Sequence, residues 1–203
     1  MTSTRPFAAA VAAASLSAAA SAGAVVRFTD YSLWSSFAAT SGASVLTEDF
    51  NSIADGFYTS PFSRTVGGIT WSAAATGGLY VQGGQFSTNN PEMITFSMSP
   101  GVQGVAGNFY GTDVNFNLVP AIVQVTLNDG SAYIGFATSA SDFVGFYSTG
   151  AAISSISVSA QAIPGSSANV YPTADNLYFA VVPAPGAVSL LAVAGLVGTR
   201  RRR

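Results

Sequence analysis

The chain has 203 residues, of which 8% are charged, with no cysteine, no histidine and a formal net charge of −2. Without these two residue types it has no cysteine nucleophile, no Ser-His-Asp triad, no thiolate or imidazole zinc site and no disulfide. Between residues 24 and 185, two arginines stand against nine acids, which gives this stretch a net charge of −7. It has too few cations to neutralise a row of phosphates, so a nucleic-acid partner is excluded.

The first 22 residues have the pattern of a signal peptide. Arg5 stands before a long, alanine-rich apolar stretch. Small residues that suit a cleavage site follow and end at Ala22 and Ala24. We therefore expect export, with cleavage after residue 22 or 24 and a mature domain over residues 23–181. An alanine-rich helix of a cytosolic protein is the alternative.

The stretch VVRFTDYSLWSSFAATSG predicts a short strand followed by a helix. Thr29 or Asp30 is a suitable N-cap, and Gly42 a suitable end. The apolar residues that recur at helical spacing are Leu33, Trp34, Phe37 and Ala38. This is the only segment of the domain in which we expect a helix.

From residue 44 onward, strand-like segments recur every 10 to 15 residues, with turn residues between them. The strongest signal lies at 121–138, where apolar and polar residues alternate on both sides of Asn128-Asp129-Gly130, a hairpin turn. The other predicted strands are 44–50, 67–73, 92–98, 104–110, 141–148, 152–160 and 174–182. We predict an all-β fold, an antiparallel jelly-roll-like β-sandwich with one short N-terminal helix. Trp34 and Trp71 lie on apolar periodic faces and belong to its core.

One segment has the composition of a sugar-binding face. Such a face needs a flat aromatic ring beside groups that hydrogen-bond, and GGLYVQGGQFSTNN (77–90) offers Tyr80, Gln82 and Gln85. The same composition is typical of a plain polar loop, which we expect here.

Two acidic pairs suggest a cation site. Glu48-Asp49 lies in an early strand and Asp175-Asn176 opens the last one. The first and last strands of a sandwich are often neighbours, which would bring these side chains together. Calcium takes six to eight oxygen ligands, so a structural calcium ion is the candidate cofactor. Acidic residues at strand ends also solubilise an edge or cap a turn, and no compact D-x-D-x-D loop is present.

The C-terminal 22 residues combine a proline-containing turn, an apolar run and an arginine cluster. Residues 187–198 are uncharged and would measure about 18 Å as a helix, against about 30 Å of hydrocarbon. The four arginines that end the chain favour the cytoplasmic side of a membrane. We expect this apolar helix to hold the acidic domain on the opposite side.

This tail resembles the PEP-CTERM sorting signal of exported bacterial proteins, with Ala184 in place of the usual glutamate. The matching residues are Val182, Pro183, Pro185, Leu190, Leu191, Gly195, Leu196, Arg200, Arg201, Arg202 and Arg203. The resemblance implies transient anchoring in the inner membrane, cleavage by an exosortase-like membrane peptidase, and release to the cell surface or extracellular matrix. The body resembles the β-sandwich domains often found upstream of this signal. An ordinary membrane anchor is the alternative.

These features favour a non-enzymatic surface or matrix protein of structural or adhesive type. A carbohydrate-binding module, with extracellular polysaccharide as its partner, is the alternative. A glycan-cleaving enzyme is the least expected, because no pair among the nine carboxylates stands out by spacing.

Overall fold

A computed structural model describes residues 23–166 and 169–182, which form one helix and fifteen strands. In chain order these are β1 (Val25–Phe28), α1 (Tyr31–Thr40), β2 (Ser44–Glu48), β3 (Gly56–Tyr58), β4 (Phe62–Val66), β5 (Ile69–Ala74), β6 (Leu79–Gln82), β7 (Gln85–Thr88), β8 (Ile94–Met98), β9 (Val102–Thr112), β10 (Leu118–Val119), β11 (Ala121–Leu127), β12 (Ala132–Ala137), β13 (Phe143–Ser148), β14 (Ser155–Ala162) and β15 (Tyr171–Val181).

The strands form two antiparallel sheets. The nine-stranded sheet has the order β1-β13-β9-β15-β7-β6-β3, with β10 paired to β9 and β2 paired to β15. The six-stranded sheet has the order β12-β11-β14-β8-β5-β4. The sheets pack face to face, because one buried cluster draws on both, with Trp71, Phe96 and Val125 from one and Val105 and Phe179 from the other. The predicted antiparallel β-sandwich is confirmed.

The helix covers part of the outer face of the nine-stranded sheet. It begins after Asp30, whose carboxylate accepts the backbone N–H of Leu33 at 2.9 Å. Trp34 and Ala38 are fully buried, and the Trp34 indole N–H donates to the carbonyl of Phe146 at 3.0 Å. Leu33 is 65% exposed, so its predicted place on the buried face is wrong. The buried stripe follows Trp34 and Ala38, and Leu33 lies about 100° around the axis from it.

The strand β15 changes partner along one of its edges. Its other edge pairs with β9, with register shifts between Ala174 and Leu177 and between Ala180 and Val181. On the changing edge it first pairs with β7 and then with β2, where Leu177 is opposite Glu48. The early and late acidic segments are therefore neighbours, and Asp175 and Asn176 lie where β7 gives way to β2.

The segment 77–90, expected as a loop, is a β-hairpin. β6 and β7 pair directly, with Gln82 opposite Gln85, and Gly83-Gly84 makes the turn. Both glycines have positive φ, at 57° and 79°, as a tight two-residue hairpin turn requires. Leu79 and Val81 point into the core, whereas Tyr80 and Gln82 point outward. The hairpin at Asn128-Asp129-Gly130 formed as predicted, between β11 and β12.

Several predictions fall on parts of the chain that the structure does not cover. The signal peptide over residues 1–22 lies outside the described residues. So does the sorting segment, except for Val182. Within residues 23–166 and 169–182, no helix has the length and apolarity needed to cross a bilayer. Export, anchoring and sorting remain predictions.

Candidate functional site

A row of side chains crosses the outer face of the nine-stranded sheet, away from the core. In register, Phe57 is opposite Tyr80, Tyr80 is opposite Ser87, Ser87 is opposite Thr173, and Thr173 is opposite Tyr110. Directly opposed residues of an antiparallel pair point to the same face. The five side chains therefore form one continuous row over β3, β6, β7, β15 and β9.

A cavity of about 230 Å³ opens over this row. Its lining mixes aromatic rings with hydroxyl and amide groups, and includes Tyr80, Gln82, Ser87, Asn89, Phe116 and Tyr171. Two of the three residues that the sequence proposed for a glycan, Tyr80 and Gln82, are thus part of one concave surface.

A chain of buried hydroxyl groups includes Ser87, which lines the cavity. The Thr112 and Thr173 hydroxyls are 2.7 Å apart, and Thr173 donates to the Ser87 hydroxyl at 3.0 Å. Ser87 in turn donates to the carbonyl of Pro172 at 3.0 Å. All three hydroxyl side chains are at most 1% exposed. Because these groups satisfy one another, they hold Ser87 in place before any ligand arrives.

One wall is a loop that Asp113 holds in shape. Its carboxylate accepts the backbone N–H groups of Asn115 at 2.8 Å and Asn117 at 2.9 Å, and the side-chain amide of Asn117 at 3.0 Å. These hydrogen bonds, the one from the Asn117 side chain foremost, lower the pKa of Asp113. The loop keeps Phe116 at a φ of 62°, a conformation uncommon outside glycine. It places the Phe116 ring 5.9 Å from the ring of Tyr80, centroid to centroid.

The rim of the cavity retains polar groups that can bind a ligand. Within the described part of the chain, no side chain or backbone group hydrogen-bonds to the side chains of Tyr80 and Gln82. The Asn89 amide nitrogen is engaged, since it donates to the carbonyl of Gly77 at 3.3 Å. A phenol and a carboxamide that lie beside aromatic rings can bind a molecule that has both apolar faces and hydroxyl groups.

Gln85, the third proposed glycan residue, is on the same face but is not part of the cavity lining. Its side-chain oxygen accepts the hydroxyl of Tyr110 at 3.0 Å. Burial, with a smaller effect of the Asp175 carboxylate, raises the pKa of the Tyr110 phenol well above its usual value. Tyr110 is therefore a neutral donor, and Gln85 is held by it.

Glu48 is a structural carboxylate in the core. It is 5% exposed, and one of its oxygens accepts the backbone N–H of Phe50 at 3.1 Å. The other oxygen accepts the indole N–H of Trp71 at 3.1 Å and lies 3.7 Å from Nε of Arg64. Both oxygens are thus engaged, which makes Glu48 a poor partner for the proposed cation.

Asp49 and Asp175 approach each other where β15 changes partner. Burial, together with the nearby charge of Asp49, raises the pKa of Asp175. Asn176 is engaged elsewhere, since its amide donates to the side-chain oxygen of Asn108 at 3.2 Å. Of the four proposed ligands, the structure therefore brings together two.

The arrangement of Asp49 and Asp175 supplies two carboxylates for a calcium ion. In the ranges that the structure describes, no group of three or more His, Cys, Asp or Glu side chains is arranged to hold a metal ion. Two carboxylates fall short of six to eight oxygens, so carbonyls and water would have to supply the others. The calcium site remains a prediction.

Sequence reasoning missed three residues of this surface, Phe57, Asp113 and Phe116. Asp113 left a signal, because asparagine two and four residues later is typical of an aspartate-centred turn. Phe57 and Phe116 left none, because only the register of distant strands brings them beside Tyr80.

The chain has no match to a protein-family model, and no curated protein matches it. Among solved structures, it is similar to a mutant of a family 29 carbohydrate-binding module in complex with cellulohexaose. The two chains are 9% identical and superpose with a TM-score of 0.29, over 68% of this chain and 92% of the other. This level of similarity is too low to indicate a shared fold.

Proposed function

We propose that the protein is a carbohydrate-binding β-sandwich and that the cavity beside Tyr80 is its binding site. The observation that carries the proposal is the pairing of Tyr80 with Phe116 at 5.9 Å, next to the Gln82 amide, which makes no hydrogen bond to the residues that the structure describes. A sugar ring has apolar C–H faces and a rim of hydroxyls. Aromatic rings suit the faces, and amide and phenol groups suit the hydroxyls.

The binding is proposed to be non-catalytic. Glycoside hydrolysis in its usual form needs two carboxylates at the scissile bond. Among the described residues that line the cavity, Asp113 is the one carboxylate, and three hydrogen bonds hold it within its own loop. This engagement supports a role in shaping the site.

A second proposal concerns where the protein acts, and it rests on the tail sequence. The succession of Val182-Pro183, an apolar run and the arginines at 200–203 favours sorting by an exosortase-like peptidase. In this proposal the inner membrane holds the protein transiently, and the cell surface or extracellular matrix receives it. A structural or adhesive role in a polysaccharide matrix is compatible with glycan binding, because binding would attach the protein there.

Affinity gel electrophoresis against a panel of neutral polysaccharides tests the carbohydrate proposal. The wild type should be retarded by at least one of them, and Tyr80→Ala should lose about tenfold in affinity, the effect of removing one well-placed aromatic contact. Phe136→Ala is the matched control, because Phe136 is 69% exposed on the outer face of the other sheet. Absence of retardation of the wild type, or equal retardation of Tyr80→Ala, would contradict the proposal.

A further inference from the structure

We infer that the bound glycan is an uncharged chain of at least two sugar rings, and that Phe57 carries the second ring. This inference rests on the proposed function, since it extends the same site beyond the cavity. Phe57 is not part of the cavity lining, but it belongs to the row of side chains that passes beneath the cavity.

Phe57 is displayed on the surface in a defined position. It lies on β3, at the edge of the nine-stranded sheet, and is 54% exposed. One side of its ring rests on Gly78, where an added Cβ would lie 2.5 Å from Cε2 of the ring. Gly78, the residue before β6, thus lets the ring lie against the backbone, and the exposed part of the ring faces the solvent.

An exposed phenylalanine on an edge strand indicates a binding surface. Natural edge strands are usually protected by charged residues or proline, and exposed apolar side chains beside polar ones often mark binding surfaces. Phe57 is directly opposite Tyr80, one strand spacing of about 4.8 Å away. That distance suits the next unit of a sugar chain whose first ring occupies the cavity between Tyr80 and Phe116.

The charges of the described residues favour an uncharged glycan. The two arginines among these residues are engaged away from the site. Arg64 binds Glu48 and Ser52. Arg27 is on β1, at the opposite end of the sheet from β3, and lies over the ring of Tyr133. The charged groups beside the site are carboxylates. Asp113 lines the cavity, and Asp55 accepts the N–H of Gly83 in the β6–β7 turn at 2.9 Å. Uronic acids and sulfated sugars would meet only like charge.

Calorimetric titration of the purified domain tests this inference. The probes are glucose, mannose and N-acetylglucosamine, the linear hexasaccharide of each sugar, and hexagalacturonate as the acidic chain. Wild type should bind a neutral hexasaccharide more tightly than its monosaccharide. Phe57→Ala should lower the affinity for the hexasaccharide about tenfold and leave the affinity for the monosaccharide unchanged. Phe57→Tyr keeps a ring and should restore hexasaccharide binding, and Phe136→Ala should bind like wild type.

The outcomes separate this inference from the proposed function. If Phe57→Ala binds the hexasaccharide like wild type while Tyr80→Ala does not, the second ring is not on Phe57 and the carbohydrate site stands. An equal loss for monosaccharide and hexasaccharide in Phe57→Ala would also overturn the inference. If hexagalacturonate bound as tightly as the neutral hexasaccharide, the inference that the glycan is uncharged would be overturned. If wild type binds none of these sugars, both proposals fail for them together.

Discussion

The carboxylate of Glu48 and the indole of Trp71 join the two sheets through the core. Glu48 ends β2 of the nine-stranded sheet, Trp71 lies in β5 of the six-stranded sheet, and their hydrogen bond measures 3.1 Å. Arg64, on the neighbouring strand β4, lies 3.7 Å from the same carboxylate oxygen. A buried carboxylate needs such partners, because an unpaired one would be too costly to ionise.

Replacing Glu48 should therefore destabilise the fold. Glu48→Ala leaves the Trp71 indole N–H and the backbone N–H of Phe50 without their acceptor, and should lower the free energy of unfolding by about 3 kcal/mol. Glu48→Gln keeps one acceptor oxygen and the side-chain volume, so it should cost less. Urea denaturation measures both. An alanine variant as stable as wild type would show that the cross-sheet hydrogen bonds contribute no net stability.

Asp113→Ala should weaken glycan binding without unfolding the protein. The change removes three hydrogen bonds that shape the loop and so releases Phe116 from Tyr80. We expect about tenfold weaker binding, with the variant still folded, since the loop is on the surface and the core of the sandwich is untouched. Asp129→Ala is the control, because Asp129 accepts the N–H of Ser131 in a turn on the other sheet. Equal binding by the two variants would exclude a role for the Asp113 loop.

Asp175→Asn should stabilise the protein at neutral pH. The folded-state pKa of Asp175 is raised, so folding disfavours its ionised form, and this cost is fully present above the raised pKa. The cost disappears as the pH falls below the ordinary aspartate pKa of about 3.9. Because solvent screens this partly exposed pair, we expect a rise in Tm of about 1–3 °C at pH 7. Thermal unfolding at pH 7 and pH 3 measures the difference, and the gain should vanish at pH 3.

The same variant tests the calcium prediction. A calcium ion between Asp49 and Asp175 would remove their repulsion, so calcium would raise the Tm of wild type and leave that of Asp175→Asn unchanged. If the Tm of the wild type responded to neither calcium nor chelator, the predicted calcium site would be wrong.

The sorting proposal predicts two cut ends in the native protein. Mass spectrometry of the protein from its own host should find an N-terminus at residue 23 or 25 and a C-terminus near Pro183. Substitution of the four terminal arginines by serine should abolish the second cut, because the positive charge retains the tail in the cytoplasm. An intact C-terminus in the wild type would leave an ordinary anchor in place of sorting.

The sequence predicted the sheets best where long alternation met a clear turn, as in the β11–β12 hairpin at Asn128-Asp129-Gly130. It failed for β6 and β7, because each strand has four residues and the glycines between them made the segment look like a loop. The burial of Leu33 was mispredicted because the spacing of apolar residues along a helix does not show how wide a stripe of the helix the sheet will cover.

The candidate site was predictable only where its residues are close in sequence. Tyr80 and Gln82 alternate along one strand, and their common face follows from that alternation. Phe57 and Phe116 join them through strand pairing and through a turn centred on Asp113, which depend on contacts distant in sequence. The acidic pairs show the limit of composition. Glu48 and Asp49 are neighbours in the chain, but Glu48 is buried at the end of β2, whereas Asp49 lies after the strand and near Asp175.

The most direct measurement is a two-dimensional ¹⁵N NMR titration of the domain with a neutral hexasaccharide. If the cavity is the binding site, the amide signals that shift should be those of Tyr80, Gln82, Phe57 and the loop at 113–117, and Tyr80→Ala should remove the shifts. Shifts that cluster on the outer face of the six-stranded sheet, around Phe136, would contradict the account.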